Sequence, residues 1–294
     1  MLHRIPRARW RFIPLQENAS PMPKASSLLS LLSQGRSVDA SAVCVVVAHP
    51  DDESIGCGGQ LARLPGVCVV VVTDGAPRNL VDAKACGFDT AREYARVRAT
   101  EFQKAMRMIG VDPSDIVMLC IPDQCAARNL ELLAEQLVQI ISRRDIHIVI
   151  THAYEGGHPD HDAVAFCVHA ARDLLARETR VVEIIEMPLY RLEGDGMLTQ
   201  SFSSMPQAGP ETCIRLSASA QDEKRRLLDS YQTQRNTVSI FKLDAERFRL
   251  APRYDFAVLP NAGRVLYERH AWGLSGAEWI GLARTSLRQL SRAA

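Results

Sequence analysis

The chain has 294 residues, enough for one large α/β domain or a domain with a modest appendage, and 47% of them are hydrophobic, which supports a sizeable core. Its 35 basic and 34 acidic residues leave a net charge of +1, a balance that offers no field for attracting nucleic acid. No apolar run approaches the roughly 20 residues needed to span a bilayer, so no membrane span is expected.

In chain order, residues 1–36 read as a leader. Arg4, Arg7, Arg9 and Arg11 lie near its start without the apolar region of a secretory signal, and 26–32 fits a short helix. The run 43–47 is apolar with no polar alternation, which predicts a strand buried on both faces. It is followed by Ala48 and then by His49-Pro50-Asp51-Asp52-Glu53. Ligands of open α/β sheets sit beyond the carboxyl ends of such strands. Pro50 stiffens the turn and biases His49 towards an extended conformation. His49 and Asp52 are then near enough to share one ion, with Asp51 beside them. Taken alone, the same turn reads as well as a surface turn whose aspartates cap the next helix. Residues 54–64 have helical character, and Gly56, Gly58 and Gly59 allow close approach of backbone without meeting the G-x-G-x-x-G spacing of a dinucleotide site.

A second buried strand, 67–72, ends in Thr73-Asp74-Gly75, and 76–89 reads as a loop. A helix follows over 90–109, then a strand over 116–120 with Asp123 just past its end, and an amphipathic helix over 130–141. The run 146–150 is another strand, ending in a second group of ligand-type residues: His152, Glu155, His158, Asp160, His161 and Asp162. Two such strand ends in one sheet can converge. With a helix over 162–176 and a strand over 181–185, the alternation predicts a Rossmann-like, doubly wound, mostly parallel sheet across residues 37–193. Residues 194–210 turn to Gly, Ser and Pro, as a flexible loop able to close over a cleft. A smaller α+β extension, 211–294, is expected to shape the substrate pocket, with a strand over 213–216 and helices over 221–232 and 277–290. The eight cysteines show no C-x-x-C spacing, and several lie in strands, as buried thiols of a reducing cytosol would.

The motif AHPDDESIGCGG followed by GGHPDHDAV resembles the LmbE-like, or PIG-L, family of zinc-dependent N-acetylglucosaminyl deacetylases, and the resemblance covers residues 43–190. It implies one catalytic zinc held by His49, Asp52 and His161, a set that leaves a fourth position open for water. Asp51 would then be the general base. His158 would stabilise the oxyanion or protonate the leaving amine, with Asp160 holding its ring. Arg98 and Asp123 match family positions that bind substrate, although by themselves they read as a structural ion pair and a solvated turn residue. The implied partner is a sugar or glycoconjugate and the implied location cytoplasmic. Some relatives use a tyrosine near the second motif as a further proton donor, which makes Tyr154 a candidate. His152 and Glu155 fit either the shell of the site or a surface loop. The family resemblance also includes a hydratase of unsaturated carboxylic acids, in which Arg98 and other cationic groups would bind carboxylates, and a noncatalytic glycan-binding module is the third reading. Zinc, iron and cobalt are not separated by sequence. Trp272 and Trp279 suit either a core or a homo-oligomer contact.

Overall fold

The computed structural model describes residues 24–270 and 272–292. α1 (Ala25–Ser33) precedes β1 (Val43–Val47), α2 (Asp52–Leu61) and β2 (Cys68–Thr73). Then come α3 (Val81–Ala85), α4 (Ala91–Met108), β3 (Ile116–Ile121), α5 (Leu130–Arg143), β4 (Ile148–His152), α6 (Pro159–Arg177) and β5 (Glu183–Met187). A hairpin of β6 (Tyr190–Glu193) and β7 (Gly196–Thr199) leads to β8 (Thr212–Arg215), α7 (Ala218–Leu228), α8 (Arg235–Val238), β9 (Ala245–Leu250) and α9 (Gly276–Arg292).

Seven strands make one sheet in the order β3-β2-β1-β4-β5-β9-β8. The first five run parallel, whereas β9 lies antiparallel to β5, and β8 antiparallel to β9. β1, β2 and β4 are buried along their whole length because helices cover both faces. Val45, Val69, Ile150 and Ile185 pack with α1, α2 and α4 on one side. Val46, Val70 and Val149 pack with α5, α6 and α9 on the other. This double burial is the reason these runs carry no polar alternation. From β1 the chain winds outward through β2 and β3, and it then returns to place β4 on the other flank of β1. The crevice at that reversal is where a doubly wound sheet binds ligands. The register pairs Val46 with Thr151, which brings the turn after β1 beside the turn after β4.

Some segments depart from expectation. The stretch 76–89 contains the short α3, and 194–210 contributes β7 in its first part. The last part of the expected leader belongs to the domain: Leu28, Leu29 and Leu32 enter the core, and the Ala25 amide donates to Glu183 Oε2 at 2.7 Å. Arg4, Arg7, Arg9 and Arg11 lie outside the described residues. The extension is continuous with the core sheet through β9, and a buried ion pair fastens it to α2. Lys224 Nζ donates to Glu246 Oε1 at 2.5 Å and to the Ile55 carbonyl at 2.7 Å. Glu246 also accepts from the Gly59 amide and from Gln60 Nε2. All eight cysteines are unpaired, and among the described residues no helix is long and apolar enough to cross a membrane.

Candidate metal centre

The turn after β1 presents three acidic residues in a row, each with different partners. Asp52 opens α2, and its Oδ2 accepts from the His49 amide at 2.7 Å, which closes the turn on itself. Asp51 takes φ 151°, a region that side chains with a Cβ rarely occupy. Two groups hold it there. Arg98 Nη2 donates to Asp51 Oδ2 at 2.9 Å and to the Pro50 carbonyl at 3.0 Å, while Nη1 donates to the Gly75 carbonyl at 2.5 Å. From the other side, Glu53 Oε2 accepts the Asp51 amide at 3.2 Å, and Glu53 Oε1 accepts hydroxyl bonds from Ser54 and Tyr231, both at 2.5 Å. Gly75 has φ +62°, and a Cβ there would lie 2.4 Å from Arg98 Nη1, so glycine is required for the guanidinium to reach the turn.

The turn after β4 is braced in a similar way. Asp162 Oδ1 accepts the amides of Glu155 and Gly156, and Glu155 Oε1 accepts those of Leu189 and Tyr190 at the start of the hairpin. A Cβ on Gly157 would sit 2.0 Å from the Tyr190 carbonyl oxygen, a contact only glycine permits. His158 caps α6, its Nδ1 accepting the Asp160 amide at 3.2 Å, and Pro159 fills the first helical position. The neutral ring therefore carries its proton on Nε2.

Together these turns bring His49, Asp52 and His161 into one cluster. His49 Nδ1 lies 3.2 Å from both His161 Nε2 and Asp52 Oδ2, and His161 Nε2 lies 3.4 Å from Asp52 Oδ1. Ligand atoms about 2.0–2.1 Å from a tetrahedral ion are separated by about 3.3 Å, a spacing that the two imidazole nitrogens meet, while Asp52 faces each of them with a different oxygen. On the other side of the His49 ring, Nε2 lies 3.4 Å from Asp123 Oδ1 and 3.5 Å from Asp160 Oδ2. A carboxylate in that position fixes the tautomer of a metal-ligating histidine.

The electrostatics agree with a cation at the cluster. Burial lowers His161 to about 3, which keeps it in the neutral form that ligates. Burial opposes the charged form of Asp52 too, but His161 and His49 outweigh it and hold the carboxyl well below its usual range. His49 runs the other way. Burial works against its charge, yet Asp123 and Asp52 prevail and raise it, so these carboxylates favour positive charge at this ring. Asp123 is held low by His49 against its own burial. Burial pushes Asp51 up despite Arg98, and it lowers His158 to about 3 with help from His49.

Each residue singled out in the sequence can now be located. His49, Asp51, Asp52, Asp123, His158, Asp160 and His161 all border the cluster and are buried. Arg98 does not face a cleft: it is 4% exposed, with its guanidinium engaged on Asp51, Pro50 and Gly75, so its reach is backward under the turn. Asp160 does not grip the His158 ring through its carboxylate. That carboxylate accepts the amides of Gln124 and Ala126 at 2.6 and 2.9 Å and so fixes the loop bearing Asp123. Tyr154 points away, donating to the Val258 carbonyl and accepting from Trp279 Nε1 in an aromatic core. His152 is buried and stacks on His161 at 4.2 Å, while its Nε2 accepts the Ala48 amide. Tyr231 falls within the stretch 221–232 that reads in sequence only as a helix, and Trp272, whose ring lies 4.8 Å from His158, reads only as core or contact. Neither carries a local motif that would have revealed its neighbour. A cavity of about 570 Å³ lined by Tyr154, Arg191 and Tyr254 includes none of the clustered His and Asp residues, so cavity size does not mark the chemistry.

Comparisons with known proteins follow the same pattern. The sequence model of the PIG-L family, described as GlcNAc-PI de-N-acetylase, matches residues 44–172. No curated protein matches the sequence. Among solved structures, the antimicrobial reagent A40926 pseudoaglycone deacetylase is similar at 18% identity and TM-score 0.56, covering 74% of this chain and 99% of that one. The zinc-inhibited form of teicoplanin deacetylase is similar at 16% identity and TM-score 0.53, covering 72% and 99%. The N,N'-diacetylchitobiose deacetylase of Pyrococcus horikoshii is similar at 20% identity and TM-score 0.51, covering 81% and 95%. The segment that matches the PIG-L model contains both polar strand ends, and the sheet behind them has the fold of these deacetylases.

Proposed function

We propose that the chain is a zinc-dependent N-deacetylase that removes acetyl from an N-acetylglucosamine-type sugar or glycoconjugate. The observation that carries this reading is the His49, Asp52 and His161 donor set at 3.2–3.4 Å spacing, with Asp51 held beside it. The sugar class is supported by the family description and by the diacetylchitobiose deacetylase among the similar structures. Zinc is supported by a donor set of two imidazoles and one carboxylate, as in catalytic zinc sites.

A zinc ion at this set supplies Lewis acidity towards the amide carbonyl and makes water acidic enough, with pKa about 7, to attack at neutral pH. The remaining work falls to the chain. Asp51, pushed up by burial without an ion, would be returned to its ionised form by a cation beside it, and would then accept the proton of the attacking water and return it to the departing nitrogen, so that acetate and a free amine leave with protons balanced. Arg98 and Glu53 keep that carboxylate in its unusual backbone position throughout. His158, neutral and protonated on Nε2, donates to the oxygen that gains charge as the carbonyl carbon becomes tetrahedral. Asp123, ionised beside His49, orients that ring and offers its remaining lone pairs to sugar hydroxyls. The hydratase reading draws on Arg98 and other cationic groups as carboxylate partners, and it is less favoured because the Arg98 Nη atoms are engaged on Asp51, Pro50 and Gly75.

The test is acetate release from a panel of N-acetylated sugars and glycoconjugates by metal-stripped protein with and without zinc. Zinc-restored release of equal amounts of acetate and free amine is expected. Zinc-loaded protein that releases neither from any member of the panel would sink the proposal.

A further inference from the structure

We infer that the chain holds a second divalent cation on the far side of His49, bound by Asp123, His158 and Asp160. The imidazole of His49 stands between two donor groups. Its Nδ1 faces Asp52 and His161, whereas its Nε2 faces Asp123 Oδ1 at 3.4 Å and Asp160 Oδ2 at 3.5 Å. His158 Nε2 completes the second group, 4.0 Å from Asp123 Oδ1. One ligand atom from each of His49, Asp123, His158 and Asp160 lies within 4.8 Å of the others, and all four residues are buried.

Two features separate this group from a chance meeting of polar side chains. His49 Nε2 and Asp123 Oδ1 face each other as an ion pair at 3.4 Å without closing to a hydrogen bond, and neither has another hydrogen-bond partner, which is uncommon for buried groups so costly to strip of water. The donors are also held in advance. Asp160 is fixed by the amides of Gln124 and Ala126, the Asp123 amide donates to Asp74 Oδ1 at 3.2 Å, and His158 is locked as the cap of α6. Two carboxylates and a neutral imidazole are a donor set of the kind zinc accepts.

The second ion should bind after the first and more weakly. Ligation through His158 Nε2 displaces the proton now on that nitrogen, either to solvent or to Nδ1 at the cost of the bond from the Asp160 amide. An ion at His49 Nδ1 also leaves a proton on Nε2 pointing at the same two carboxylates, and the two positive ions repel across one ring. Filling the second position ties up the Nε2 of His158. On the deacetylase reading above, on which this one consequence rests, the ring then has no proton to give the substrate oxygen, and excess metal inhibits.

The simpler account is that Asp123 and Asp160 only accept the His49 Nε2 proton, as outer partners of one ligand. Metal counts separate the two. Stripped full-length protein is titrated with zinc chloride, and separately with cobalt(II) chloride read by its visible bands, and bound ions per chain are measured by equilibrium dialysis. Two classes of ion are expected in the wild type. Asp123→Asn and His158→Gln should each reduce the count from two to one, and two variants are used so that a failed fold in one leaves the count to the other. Saturation of the wild type at one ion overturns the inference. So does a second class that persists in both variants, or loss of the first class in variants that melt like the wild type. If Asp123 is only an outer partner, its variant instead weakens the single ion by about 10–100-fold. Should acetate release never be found, the function proposed above fails while the ion count still decides this one.

Discussion

Replacing Arg98 with alanine discriminates between a residue that contacts substrate and one that holds the site from behind. The guanidinium is buried, neutralises Asp51 at 2.9 Å and satisfies the Pro50 and Gly75 carbonyls. Removing one partner of a buried, hydrogen-bonded pair costs about 3–5 kcal/mol when the other charge stays behind uncompensated, and the lower end is expected here because Asp51, already pushed up by burial, can take a proton. For a domain near this size that corresponds to a melting temperature lower by roughly 10 °C. Arg98→Lys retains the charge, but an ammonium cannot reproduce a planar fork aimed at three acceptors, so it should recover only part of the loss. The assay is urea unfolding of metal-stripped wild type, Arg98→Ala and Arg98→Lys, followed by kcat and KM on any substrate found. A stability change for Arg98→Ala below about 1 kcal/mol, the range of an exposed pair, together with a raised KM and unchanged kcat, would refute the reasoning.

Three further outcomes follow from the same geometry. His161→Ala should lose tight zinc binding, whereas Asp51→Asn should keep the metal and lose turnover by about 10²–10⁴-fold; equal turnover in Asp51→Asn and wild type rejects Asp51 as base. Tyr231→Phe removes a buried hydroxyl bond to Glu53, so it should cost about 1.5–3 kcal/mol and lower kcat with metal retained. In an Asp51→Asn background the same change should leave kcat where it was, and a further large drop would show that Tyr231 acts elsewhere. Gly157→Ala forces a methyl to within 2.0 Å of the Tyr190 carbonyl, and overpacking of this kind costs about 1–3 kcal/mol. A thermal melt identical to wild type would contradict the close approach.

What could be read in advance depended on whether a signal was local. The strands β1, β2 and β4 are apolar runs because both sheet faces are covered, and the turns after β1 and β4 carry their ligand-type residues in short contiguous motifs. Arg98 was legible as a residue of interest but not in its role, since a long side chain leaving α4 can reach either a cleft or the underside of a turn. β9 escaped notice because Ala245–Leu250 contains Glu246, Arg247 and Arg249, a pattern that reads as solvent-exposed. Two of those charges are buried against partners distant in sequence, Lys224 and Glu186. β7 was hidden by the turn-forming composition around Gly194 and Gly196, and Tyr154 by lying on a turn whose ring swings into the aromatic core. Each miss concerns a contact that only the folded chain supplies.

The bonds from Lys224 and Tyr231 to α2 also order events in time. Ile55 meets Lys224 across 169 residues and Glu53 meets Tyr231 across 178, so the turn bearing Asp51 and Asp52 is made early in synthesis and braced late. A nascent chain that has just completed β5 already contains His49, Asp52 and His161, yet Tyr231 is still 44 residues from being made, roughly 2–9 s of synthesis. During that interval the ligands exist without the clamp that sets Asp51 beside them. The placement of the Asp51 carboxylate, rather than the meeting of His49, Asp52 and His161, is thereby tied to completion of the chain.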